Sequence, residues 1–162
     1  ALFPEFASGG SPAALLADAY LSRGDSAKAL PMFKAVAAAD ESSYDSNMSF
    51  AALSLAVRDT TTALAALDRA VYINPFPAEL HRTLATVAAA RGDHVRAVRE
   101  REALIALDPV DRAEALYQLA LAYRGAGDQA KTKRTVLRAL EEAPNFGKAQ
   151  DLLLAIVDGR AP

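Results

Sequence analysis

A two-residue signal ending in aspartate recurs four times, at Gly24-Asp25, Arg58-Asp59, Gly92-Asp93 and Gly127-Asp128, at intervals of 34, 34 and 35 residues. Proline follows each of the last three signals by 17 residues, at Pro75, Pro109 and Pro144. After the first signal the matching place is Glu41, inside the turn-forming stretch Asp40-Glu41-Ser42-Ser43. A fixed period of this length marks an array of supersecondary units, none of which buries its apolar face alone.

Each element has a mechanical reason. Glycine at a helix end can take a positive φ and stop the helix. The following aspartate can accept backbone N–H bonds at the positive end of the next helix. Proline cannot continue a helix interior, so it closes the second helix of each pair. Between the signals, apolar residues fall at i, i+3, i+4 and i+7. In the last repeat, Leu116, Leu119, Ala120 and Tyr123 line one helix, and Val136, Leu137, Ala139 and Leu140 the next. The spacing predicts helix pairs at about 12–23 and 26–39, 44–57 and 60–73, 77–91 and 94–107, and 111–125 and 128–142. A last helix, about 146–158 with Asn145 as its cap, is expected to cover the open end of the array.

Composition agrees with this reading. Hydrophobic residues make up 52% of the 162 residues, with Ala and Leu prominent. Alanine favours helix and lets backbones approach. The net charge is −2, from 18 basic and 20 acidic residues, and no basic run could follow a phosphate track, so no nucleic-acid partner is expected. No apolar stretch reaches the ~18 residues of a membrane span, so no membrane insertion is expected. The chain has no cysteine, which leaves the compartment open between cytoplasm and periplasm. It starts at Ala1 with an apolar leader containing Leu2, Phe3 and Phe6, as expected of an excised or processed piece. Ser11 is expected to cap the first helix, with Pro12 at its first position.

The pattern resembles the tetratricopeptide repeat. The last repeat carries Leu116-x-x-Leu119-Ala120-x-x-Tyr123, then Ala139 and Pro144; the first carries Leu16-Ala17-x-x-Tyr20, Ala29 and Phe33. The second has Phe50-Ala51, Ala63, Leu67, Ala70 and Pro75, and the third Leu84-Ala85, Ala97 and Pro109. Departures are Arg58 for the turn glycine, Ser54 and Ala88 for tyrosine, Thr132 for the small alanine, and Arg101 where a large apolar residue belongs. The resemblance implies an all-α fold: a right-handed α-solenoid of antiparallel helix pairs, about nine helices. The implied array runs over 11–158, with repeats at about 10–43, 44–77, 78–112 and 113–146, a capping helix at 146–158, a leader at 1–10 and a tail at 159–162.

The resemblance also implies a concave face lined by the first helix of each pair. Its expected partner-binding residues are Asp18, Asp45, Met48, Ser49, Arg82, Thr86, Tyr117, Leu121 and Arg124, with Ala14 and Ala52 beside them. The family's clamp for a C-terminal carboxylate needs cationic and amide side chains. Ala14, Asp18, Ser49, Glu79 and Thr83 occupy those places, so that mode is not expected. Tyr117 between Arg82 and Arg124 is the expected hot spot, balanced against an ordinary exposed helix residue.

Catalytic groups do not converge in the sequence. His81 and His94 lie on different helices without a His-Glu-x-x-His spacing, so neither a metal nor a cofactor is expected. His81 is expected to be partly buried and His94 to lie near a turn. Gly9-Gly10 lacks the Gly-Lys-Ser/Thr of a phosphate loop. Tyr72-Ile73-Asn74-Pro75-Phe76-Pro77 is read as a helix end and rigid turn, with Phe76 plugging a gap between repeats. The run Arg99-Glu100-Arg101-Glu102 is read as a solvated face, except that Arg101 is centred on apolar spacing with Ala97, Val98, Leu104 and Ile105. It is expected to pair with a carboxylate or cap carbonyls. The expected function is a non-catalytic protein–protein interaction scaffold for a peptide or partner domain, with room for a homodimer. The alternative is the C-terminal accessory repeat region of a larger bacterial enzyme of the metallopeptidase kind.

Overall fold

The structure, a computed structural model, describes residues 12–39 and 42–158. Nine α-helices and no strand occur among them: α1 Pro12–Ser22, α2 Ser26–Ala39, α3 Tyr44–Ala56, α4 Thr60–Ile73, α5 Ala78–Ala90, α6 His94–Ala106, α7 Arg112–Gly125, α8 Gln129–Glu142 and α9 Gly147–Val157. The leader with Leu2, Phe3 and Phe6, the Ser11 cap, Asp40-Glu41 and the tail at 159–162 lie outside the described residues. No described helix is long and apolar enough to cross a membrane.

The repeating aspartate does two jobs, and together they make the hairpins. Its backbone N–H closes the helix before it. Asp25, Asp59, Asp93 and Asp128 donate to the carbonyls of Tyr20, Ser54, Ala88 and Tyr123 at 2.9, 2.8, 2.9 and 3.0 Å. That is the long bond of a Schellman helix end, and it requires a left-handed residue just before the aspartate. Gly24, Gly92 and Gly127 supply it at φ 76–77°, and Arg58 supplies it at φ 63°. The carboxylate then caps the helix that follows. Asp59, Asp93 and Asp128 accept from the N–H of Thr62, Arg96 and Lys131 at 3.0, 3.0 and 2.9 Å. The Asp59 carboxyl is held below its ordinary pKa mainly by the Thr62 hydroxyl bond. One residue type thus ends one helix and starts the next within a two-residue turn.

The chain divides into two compact units between Leu80 and His81. In the first unit α1 packs on α2, α2 on α3 and α3 on α4. Its core includes Ala17, Phe33, Val36, Phe50, Leu53 and Leu67, all buried. A polar tie crosses the α3–α4 pair. Asn47 is fully buried, donates to the Ser43 carbonyl at 2.8 Å, and accepts from Arg69 Nε at 2.8 Å. In the second unit α6 packs on α7, α7 on α8 and α8 on α9. Leu116, Ala120, Val136, Ala139, Ala149 and Leu152 form its principal apolar cluster.

Three local expectations fail. Phe76 plugs no gap, because its side chain is 73% exposed beyond Asn74, whose side-chain oxygen takes the Phe76 N–H at 3.2 Å. Asn145 does not cap α9. The cap position is Phe146, which offers no side-chain acceptor, and Gln150 Nε2 instead reaches back to the Pro144 carbonyl at 2.9 Å. Ala14 faces the interior at 4% exposure rather than an open face, because it lies three residues before Ala17 on the buried stripe of α1.

Candidate functional site

Within the second unit a pocket of about 370 Å³ opens between α5, α6 and α7. Its walls are mostly small. Ala85, Thr86 and Ala89 come from α5, His94, Ala97 and Arg101 from α6, and Gln118, Leu121, Ala122 and Gly125 from α7. Beneath it Ala88, Ala97 and Ala122, one from each helix, meet in a buried cluster. Alanine at all three places lets the three backbones converge and leaves little side-chain volume above them. Gly125 completes this wall. A Cβ there would stand 2.7 Å from His94 Nδ1, so the imidazole occupies the space that any larger residue would need.

Arg101 is the chemical centre of the pocket. The helical register explains its place. Counting by the repeat, its counterparts are Phe33, Leu67 and Val136, which are 3%, 0% and 0% exposed and plug their own helix pairs. In the third repeat a guanidinium stands where the plug belongs, and it is half-buried. Among the described residues its one hydrogen bond is long, 3.5 Å from Nη2 to Thr86 Oγ1. The Thr86 hydroxyl spends its own proton on the Arg82 carbonyl at 2.9 Å. Burial first, and then the positive charge of Arg82, push the Arg101 pKa down, while Glu114 opposes them. Neither the expected carboxylate partner nor the carbonyl cap occurs among the described residues. No carboxylate of the described residues lies within salt-bridge distance of Arg101.

In the rest of that charged run Arg99 and Glu102 are exposed, as expected of a solvated face, and Glu100 is the exception. Glu100 is 4% exposed and bonds His81 Nδ1 through Oε2 at 2.8 Å. Its other oxygen receives Arg99 Nη2 at 2.8 Å and Nε at 3.1 Å, with Arg96 Nε at 3.9 Å. His81 is buried as well, at 6% exposure. Glu102 turns the other way and accepts a hydrogen bond from the Tyr123 hydroxyl. Burial, reinforced by that bond, pushes the Tyr123 pKa up to about 12. Every charged member of the run except Arg101 is therefore engaged.

The expected binding residues distribute unevenly. Thr86 and Leu121 line the pocket, and Arg82 lies one turn from Thr86 on α5, close enough to act on Arg101. Tyr117 lies elsewhere. Its ring meets Phe146 edge-on, with centroids 5.4 Å apart, and packs against the principal cluster. The half-buried Arg124 does not line the pocket, so Tyr117 is not sandwiched between two arginines there. Asp18 and Asp45 are exposed, and Met48 and Ser49 half-buried, on α1 and α3 of the first unit. Arg101 and His94 stand on α6, the second helix of its pair, so a concave face drawn from first helices leaves them out. The misfit at Arg101 was the available signal.

A second depression, about 440 Å³, lies by Asp111, Glu114 and Phe146. Its acids are already committed. Asp111 caps α7 through the Glu114 N–H at 2.9 Å, and Glu114 is held by Gln118 at 2.7 Å and Lys148 at 3.5 Å. No group of three or more potential metal ligands occurs among the described residues.

Comparison with known proteins bears on the fold. Residues 113–146 match the family description "Tetratricopeptide repeat". No curated protein matches the chain. Among solved structures, MamA 41-end from Desulfovibrio magneticus RS-1 aligns with TM-score 0.76 at 20% identity, over 99% of this chain and 88% of that one. YrrB, described as a TPR protein with an unusual peptide-binding site, aligns with TM-score 0.68 at 21% identity, over 83% and 69%. PilF of Pseudomonas aeruginosa aligns with TM-score 0.65 at 16% identity, over 90% and 66%.

Proposed function

We propose that the chain, which has the fold of tetratricopeptide-repeat proteins and a fourth repeat recognisable in sequence, works as a non-catalytic interaction scaffold holding a segment of a protein partner in the α5–α6–α7 pocket. The observation that carries the reading is the pocket itself. Five alanine or glycine residues, Ala85, Ala89, Ala97, Ala122 and Gly125, line a hollow where larger side chains would have closed the packing. Small walls around a few convergent polar groups suit an incoming side chain. Repeat proteins of this fold are generally scaffolds, and the described peptide site of YrrB is consistent with such a use. The nine expected binding residues enter this proposal in part, with Thr86 and Leu121 as walls and Arg82 at the rim.

Filling the pocket tests it. Peptides selected for binding to the purified chain should lose affinity at least about tenfold to Ala89→Trp, whose indole occupies the hollow. They should keep it in Val95→Trp, altered at an exposed α6 position that does not line the pocket. Equal binding to Ala89→Trp and wild type, both folded by circular dichroism, would show that the segment sits elsewhere.

A further inference from the structure

Resting on that scaffold reading, we propose that Arg101 reads a side-chain carboxylate, an Asp or Glu, on an acidic segment of the protein partner. Three observations carry this. First, the repeat register puts a cation at the place where Phe33, Leu67 and Val136 seal their helix pairs. The seal is missing here, and the pocket stands in its place. Second, the chain's own nearby acids are spent. Glu100 holds His81 and Arg99, Glu102 takes the Tyr123 hydroxyl, and Glu114 is bound by Gln118 and Lys148. Third, apart from the charge of Glu114 farther off, Arg101 has among the described residues only the 3.5 Å contact with Thr86 to offset its lost hydration.

A half-buried guanidinium in that state has most to gain from a carboxylate, which it can grip with two parallel N–H bonds. Arg82, one turn before Thr86 on α5, adds positive charge near Arg101. No acidic side chain lines the hollow to compete. Charge complementarity therefore selects an acidic segment over a basic or purely apolar one.

The test pans a phage-displayed random-peptide library on the full chain, and the selected sequences are synthesised with amidated C-termini. Selected peptides should share an Asp or Glu. Replacing it with Asn or Gln should weaken binding to wild type at least about tenfold and barely change binding to Arg101→Leu. Arg101→Leu should fold, since leucine is what α4 carries at the same register, and Arg101→Lys should retain part of the discrimination because it keeps charge without the fork. Peptides blocked by Ala89→Trp but indifferent to the acid-to-amide change, or binding only with a free C-terminal carboxylate, would overturn this proposal and leave the pocket reading standing. Peptides indifferent to Ala89→Trp, or no binders at all, would overturn the pocket reading and this proposal with it.

Discussion

The second and third repeats follow the same register at an offset of 34 residues and break it in opposite places. The second repeat is regular in its core and irregular at its turn. Leu67 is fully buried as the plug, and Arg58 takes the left-handed turn position. The third is regular at its turn and irregular in its core. Gly92 occupies the turn, and Arg101 stands in for the plug. Their buried polar positions correspond as well. Asn47 becomes His81, and the fully buried Ala66 becomes the buried carboxylate Glu100. The second repeat thus keeps its apolar seal, and the third exchanges it for a polar lock beside an open cation. The altered repeat is the one whose α6 helps line the α5–α6–α7 pocket.

The comparison can be broken most forcefully at the plug. Leu67→Ala removes a fully buried side chain from α4 and should destabilise the chain by about 2–5 kcal/mol, read from the denaturant midpoint. If the position matters only through packing, adding a leucine at the corresponding place in the third repeat should act with the opposite sign.

Next in size is the polar lock. Glu100→Ala leaves His81 buried without its 2.8 Å partner, and should cost on the order of 3 kcal/mol. Glu100→Gln, which keeps a hydrogen-bond acceptor, should cost clearly less. Equal losses for the two would show that charge, and not the hydrogen bond to His81, is what the site uses.

How much of this was legible follows from which forces are local. The turns were readable because a left-handed residue, a capping carboxylate and a helix-ending proline act within a few residues. Every helix boundary falls within one residue or so of its expectation. Glu100 was not readable as buried. By spacing alone it and Arg101 sit on the same apolar stripe, three and four residues after Ala97, and only tertiary partners separate them. His81 draws Glu100 inward, while Arg101 finds only a threonine. The repeat register holds a clue the charge run hides, because Glu100 aligns with Ala66 and His81 with Asn47. The contact of Tyr117 with Phe146 was hidden for a similar reason, since Phe146 lies 29 residues away across the α8–α9 turn.

Arg101→Leu sharpens the comparison at intermediate size. It replaces a desolvated cation that has no carboxylate partner by the residue the register calls for, and should stabilise the chain by about 1 kcal/mol or more. Thermal melting of the variant beside wild type measures it. A loss of stability would mean that Arg101 contributes more through its stem and the Thr86 contact than the missing seal costs, and the third repeat would then be a finished core rather than one opened for a ligand.

The smallest expected effects lie at the turns, where the two repeats exchange roles. Arg58 at φ 63° carries the strain of an L-residue in the left-handed region, about 1 kcal/mol, for the sake of the 2.8 Å bond from the Asp59 N–H to the Ser54 carbonyl. Arg58→Gly relieves that strain but widens the unfolded ensemble, so the net gain should be about 0.5 kcal/mol. Gly92→Ala runs the other way. No atom lies near enough to clash with the added Cβ, so its cost of about 1 kcal/mol comes from backbone conformation alone. The pair therefore isolates one variable. If both changes move the denaturant midpoint as stated, the two turns are equivalent devices with different residues in them. If Arg58→Gly instead destabilises, the arginine side chain must contribute a contact larger than the strain it bears, and the second repeat's irregular turn would be as purposeful as the third repeat's open plug.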